Sequence, residues 1–107
     1  MFYEIRTYRL RTGSLPAYIK DVTEEGIAIQ KKHLGTLIGY YFSEIGQLNQ
    51  IVHIWAFTSL DDREKRRDTL ARDPQWAAFI PRLQAHIETM DNKIMKGMPF
   101  LESEVKS

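Results

Sequence analysis

The chain has 107 residues, with 15 basic and 14 acidic side chains and a formal net charge of +1; so even a balance offers nothing to recruit nucleic acid or a membrane surface. It contains no cysteine, which excludes disulfides, thiol nucleophiles and thiolate metal sites and fits a reducing compartment. With 43% hydrophobic and 27% charged residues, the composition is that of an ordinary globular protein, and a single domain over residues 1–107 is expected.

The opening, Met1-Phe2-Tyr3-Glu4-Ile5-Arg6, has neither the basic region nor the apolar run of a secretion signal, and no apolar run approaches the roughly 20 residues of a membrane-spanning helix. The expected location is the cytoplasm, without membrane insertion. Residues 2–11, FYEIRTYRLR, alternate as a strand does. Phe2, Glu4, Arg6, Tyr8 and Leu10 share one face, and Tyr3, Ile5, Thr7 and Arg9 the other. Gly13 supplies a turn, Ser14 a candidate helix cap and Pro16 a first-turn residue. The helix that follows carries Leu15, Tyr18, Ile19, Val22 and Ile29, is interrupted at Gly26, and ends at Gly35 after a cationic last turn of Lys31, Lys32 and His33.

A second strand, TLIGYYFSEI, leads through the hairpin loop GQLN into a third, QIVHIWAFT. Alternation places Leu37, Tyr41 and Ser43 on one side of the second strand and Ile38, Tyr40 and Phe42 on the other. Ser59 caps a charged helix with Asp61 and Asp62 in its first turn, and Asp73-Pro74 restarts a helix. The stripe of that last helix is Trp76, Phe79, Ile80, Leu83 and Ile87, with Pro81 expected to kink or split it. The tail, IETMDNKIMKGMPFLESEV, reads as a last strand or two, with Gly97 and Pro99 marking an irregularity. The order βαββαβ is the ferredoxin-like α+β arrangement, a four-stranded antiparallel sheet with helices on one face.

The third strand is apolar on both sides. Ile51, His53, Trp55 and Phe57 share one face, Val52, Ile54 and Ala56 the other. A half-exposed antiparallel strand is expected to be polar on its outer side. At about 25 cal/mol per Å² of apolar surface, covering the second face is favourable, and the same face of another copy can do it. The expected assembly is a homodimer through the sheet face.

In the charged helix, SLDDREKRRDTLARD, five bases and five acids cancel. Most of these form a solvated face, Lys65 and Arg66 among them, but the inward stripe from Leu60 to Leu70 passes through Arg63, Glu64 and Arg67. Arg63 and Arg67 either line a polar pocket between helix and sheet or lay their stems on apolar surface with the guanidinium heads in water. Of the three histidines, His33, His53 and His86, none forms a pair at metal spacing, so no metal site is expected. His53 sits mid-strand on the face of Trp55: it is either a core histidine satisfied in a network or a group tuned for proton transfer. Glu4, Arg6 and Tyr8 share a face of the first strand and combine either as an organic-acid holder or as a salt-bridge network.

The chain resembles the NIPSNAP family, within the dimeric α/β-barrel, ferredoxin-like superfamily. The resemblance is carried by YEIRTYRLRTGSLPAY, IGYYFSEIGQLNQIVHIWAFTSLDDREKRR, the DPQW helix start and IMKGMPF. It implies a dimeric barrel of unassigned reaction that binds a small organic molecule between sheet and helices. The superfamily also implies an alternative, a cofactor-independent enzyme of the monooxygenase, isomerase or dehydratase kind. There His53 would be acid or base, Arg63 or Arg67 would hold a substrate anion, and Trp55 would form a wall. A third expectation is a non-catalytic interaction module. Each does without a cofactor, and a cavity between helix and sheet reached by His53 or Arg67 separates the first two from the third.

Overall fold

The aromatic and β-branched run at the start of the chain forms β1 (Phe2–Leu10). The structure, a computed structural model, describes residues 1–105, so the last two residues of the expected domain lie outside the described residues. After β1 come α1 (Leu15–Asp21), a π-helical turn (Val22–Gly26), α2 (Ile27–Leu34), β2 (Thr36–Phe42), β3 (Gln50–Phe57), α3 (Leu60–Arg72), α4 (Pro74–Gln84), β4 (Ile87–Lys96) and α5 (Pro99–Val105). The four strands form one antiparallel sheet in the order β2-β3-β1-β4. This is the expected ferredoxin-like α+β fold, with β1 and β3 central. No helix among the described residues is long and apolar enough to cross a membrane.

The caps set the helix positions. Ser59 accepts a hydrogen bond from the Asp62 backbone at 3.0 Å, and Asp73 accepts from the Gln75 backbone at 2.8 Å. Ser14 makes no side-chain cap; only its carbonyl takes part, accepting from the Tyr18 amide at 2.9 Å. The interruption expected at Gly26 is a π-helical turn that joins α1 to α2. Gly26 is needed there because a β-carbon would lie 2.8 Å from Cε2 of Phe79 on α4.

Three expectations about elements change. α4 runs unbroken through Pro81, because Pro81 and Ala77, whose carbonyl loses its helical donor, are both exposed and water can serve that acceptor. Ile87 opens β4 rather than closing the helix stripe. The tail is one strand followed by α5, with Pro99 at the first helical position, where its missing N–H costs nothing.

Register sets the faces. The β2–β3 pairing shifts between Leu37 and Gly39, and this bulge reverses the alternation. Leu37 therefore joins Tyr40 and Phe42 on the helix side, opposite Trp55, His53 and Ile51 respectively, and not Tyr41 as alternation predicts. Beneath the helices, Tyr8, Leu10, Tyr18, Val22, Ile51, Phe79 and Leu83 pack as one core cluster, and Leu34, Trp55, Phe57 and Leu70 as another. On the outer face Ala56 and Tyr3 are buried, the latter beside Gly97 at the turn into α5. Ile5, Val52 and Ile54 are half-buried there, and Tyr41 is 54% exposed.

Candidate functional site

Antiparallel pairing lines up two rows of side chains under the helices, one largely polar and one that carries Glu4 among apolar neighbours. In one, Tyr40, His53, Arg6 and Asn92 are successive cross-strand partners from β2 to β4. In the next, Leu37, Trp55, Glu4 and Ile94 are. Arg63 and Arg67, one turn apart on α3, reach down onto them.

Glu4 is the centre. It has no solvent exposure, and both carboxylate oxygens are filled. Oε1 accepts from Arg67 Nε at 3.0 Å and Nη2 at 2.6 Å. Oε2 accepts from Arg63 Nη2 at 2.8 Å, Asn92 Nδ2 at 2.8 Å and Arg6 Nη1 at 3.1 Å. Burial by itself raises a carboxyl pKa. Here the hydrogen bond from Arg63 and the charges of Arg67 and Arg6 outweigh it and hold Glu4 at about 2. The cluster is crowded with positive charge: burial, and then the neighbouring charge of Arg6, lower the pKa of Arg67. Arg6 also donates from Nε to the Tyr8 hydroxyl at 2.7 Å.

His53 adjoins this cluster, fully buried. Trp55 Nε1 donates to its Nδ1 at 2.8 Å. An indole nitrogen can only donate, so Nδ1 is the acceptor and the neutral ring carries its proton on Nε2. Burial, followed by the charges of Arg6 and Arg67, pushes the His53 pKa down to about 3, which keeps the ring neutral at physiological pH. Nε2 is buried with no hydrogen-bond partner, as is Arg63 Nε. Tyr40 stacks on the ring at 4.4 Å and 13°, and Tyr8 meets it edge-on at 5.0 Å.

Beside His53 a cleft of about 270 Å³ opens between the first helical segment and the β2–β3 edge. Ile19, Val22 and Ile27 wall it from the helix, and Leu37 and Ile51 from the sheet. Tyr18 and Tyr40 also line it, and their hydroxyls are hydrogen-bonded to each other at 2.6 Å. Burial raises the pKa of both phenols, so each keeps its proton. Tyr40 belongs to both places, one ring touching His53 and lining the cleft.

The structure thus gathers all seven candidate residues, Glu4, Arg6, Tyr8, His53, Trp55, Arg63 and Arg67, into one cluster, in which the three arginines are half-buried and the other four are buried. Arg63 and Arg67 turn inward onto Glu4 rather than outward into water. Glu64, expected on the same stripe, does not join them: its side chain is 70% exposed. The cleft lies between helix and sheet as anticipated, but Tyr18 and Tyr40 line it while His53 and Arg67 do not. The sequence reading missed Tyr18, Tyr40 and Asn92, whose roles depend on cross-strand register. Arg66, read as part of the solvated face, pairs with Asp62 one turn before it at 3.0 Å as the spacing suggests, and it also donates to the His33 carbonyl at 3.2 Å, which ties α3 to α2 and was not foreseen. His33 pairs with Asp73 at 2.6 Å and His86 with Asp21 at 3.2 Å. Among the described residues, no group of three or more histidine or acidic side chains is placed to hold a metal ion.

A four-stranded antiparallel sheet backed on one side by helices, with an arginine–carboxylate cluster between the layers, defines a ferredoxin-like α+β protein with a polar group at its core. The NIPSNAP family profile matches residues 3–102, and the chain belongs to the NIPSNAP family. A NipSnap homolog of Dictyostelium discoideum is 35% identical over 91 residues, covering 85% of this chain and 40% of that protein; the chain therefore spans less than half the length of this relative. Among solved structures, a NIPSNAP family protein of unknown function from Agrobacterium tumefaciens is 62% identical with a TM-score of 0.91, covering 94% of this chain and 90% of that one. A second NIPSNAP family protein from the same organism is 50% identical with a TM-score of 0.90, covering 92% and 94%.

Proposed function

We propose that this protein binds a small organic molecule in the cleft between its first helical segment and the β2–β3 edge, and does so as a homodimer joined through the outer sheet face. The cleft carries the reading. Its apolar walls suit the body of a ligand, and the Tyr18–Tyr40 hydroxyl pair supplies the few polar atoms that orient one. Its volume of about 270 Å³ falls just below the roughly 300–1,000 Å³ of drug-sized ligand sites, which limits the occupant to a small molecule. The half-buried outer side chains Ile5, Val52 and Ile54 support the dimer, because the helices α1 to α4 all pack on the opposite face.

In the catalytic alternative, a cofactor-independent enzyme, His53 acts as a donor and not as a base. Its Nδ1 is taken by Trp55 and its Nε2 already bears the proton. Binding alone requires nothing further of the residue. Mass spectrometry of the natively purified protein is expected to detect a small organic compound released on denaturation. Val22→Trp, which fills the cleft, is expected to abolish that release. A folded V22W protein that carries the same compound in the same amount would refute the cleft as the binding site.

A further inference from the structure

The interior between cleft and sheet has more hydrogen-bond donors and more positive charge than the protein itself can match. Three guanidinium groups, Arg6, Arg63 and Arg67, surround the single buried carboxylate of Glu4. Even with the exposed Glu64 counted, 4.0 Å from Arg63, one positive charge is left over. Glu4 already accepts five hydrogen bonds and has no capacity for more. The donors left over are the buried Nε2–H of His53 and Nε–H of Arg63. To these the Tyr18–Tyr40 pair adds a hydroxyl proton, because two hydroxyls share one hydrogen bond and only one proton lies between them. A buried donor without an acceptor is costly, so the arrangement is incomplete as it stands.

We infer that the cleft takes an organic acid, its apolar body between Val22, Ile27 and Leu37 and its carboxylate received by the Tyr18–Tyr40 hydroxyls, next to the His53 ring on which Tyr40 stacks and under the field of Arg6. The placement follows from Tyr40, which lines the cleft, stacks on His53 and hydrogen-bonds Tyr18. The charge of Arg6 is felt at both Tyr18 and Tyr40, where it favours a negative neighbour. A carboxylate supplies acceptors and a negative charge together, whereas an alcohol supplies neither in full and an amine brings donors where donors are already in excess. His53, held in its donor tautomer by Trp55, lies behind Tyr40 and reports on what that ring contacts.

This inference rests on the cleft being a ligand site, and the test separates the two. Phenylbutyrate and phenylbutanol share a body and differ in the carboxylate. Calorimetry on the wild-type protein is expected to show the acid binding at least about tenfold more tightly than the alcohol. In a proton–nitrogen correlation spectrum, the His53 Nε2–H resonance, identified by its loss in His53→Gln, is expected to move with the acid and stay in place with the alcohol. Tyr40→Phe keeps the ring stacked on His53 and should lower acid affinity about tenfold while leaving the alcohol unaffected. If the alcohol binds as well as the acid, the acid preference is wrong and the cleft reading survives. If neither binds at millimolar concentration, both fall. Tight acid binding that leaves the His53 resonance unmoved overturns the placement of the carboxylate beside Tyr40.

Discussion

Glu4 shows how one side chain can decide the acid behaviour of a protein. A carboxyl held at about 2 in the folded state, against an ordinary 4.5, stabilises the fold by about 3 kcal/mol above the higher value. The unfolded chain binds the proton first as pH falls, so that contribution is present at neutral pH and is lost between pH 4.5 and 2. Glu4→Gln leaves three guanidinium groups around a neutral amide and is expected to cost about 3–5 kcal/mol in urea denaturation, with a flatter acid limb over that interval. His53 acts in an earlier window. Its folded pKa of about 3 lies below the ordinary 6.5, so the unfolded chain again takes up the proton first and stability falls with pH from 6.5 downward. Between pH 6.5 and 4.5 that loss amounts to about 2 kcal/mol, and in a folded His53→Gln protein it should disappear. Equal slopes in wild type and variant would contradict a neutral buried imidazole. The seven members of the cluster were legible as candidates because each is a polar group at an inward position of a strand or helix. What the sequence left open was whether Arg63 and Arg67 turn in or out. That depends on Glu4 lying beneath them, which is a fact of register and not of local pattern.

At the scale of elements, the π-helical turn and the glycine that ends it set the approach of the first helical segment to α4. Gly26→Ala is expected to destabilise the fold by about 1–3 kcal/mol, because the new β-carbon meets the Phe79 ring and a packed core resists insertion. Combining it with Phe79→Leu should recover part of the loss, measured as non-additivity of the two substitutions in a denaturation cycle. The strands were readable from alternation, and the helix starts at Ser59 and Asp73 from their caps. The bulge at Ile38 was not, since an extra residue leaves no mark in composition and inverts every inference drawn from alternation beyond it. The tail misled for a related reason. PFLESEV contains too few turns for a helical stripe to show, and the β-forming run before it invites the strand to continue.

For the whole molecule, the central question is what covers the outer face of the sheet. Ile54 lies near the middle of that face, on the central strand β3 and opposite Ile5 of β1. Ile54→Lys points a charge into the proposed dimer contact and leaves the helix-side core untouched. Sedimentation at micromolar concentration is expected to show wild type as a dimer and I54K as a folded single subunit. A wild-type protein that sediments as a single subunit under the same conditions would end the dimer proposal.

The row of Tyr40, His53, Arg6 and Asn92 has a bearing on how the strands find one another. A hydrophobic pattern of period two cannot distinguish the native pairing from one displaced by two residues, which keeps every greasy side chain facing inward. Such a slip would carry Glu4 roughly 7 Å along the strand, away from the guanidinium groups of α3, and leave it in the interior with Arg6 of its own strand as its remaining cation. Charge thereby performs the proofreading that grease cannot, and the native alignment is favoured because it brings the buried Glu4 carboxylate to the arginines of α3.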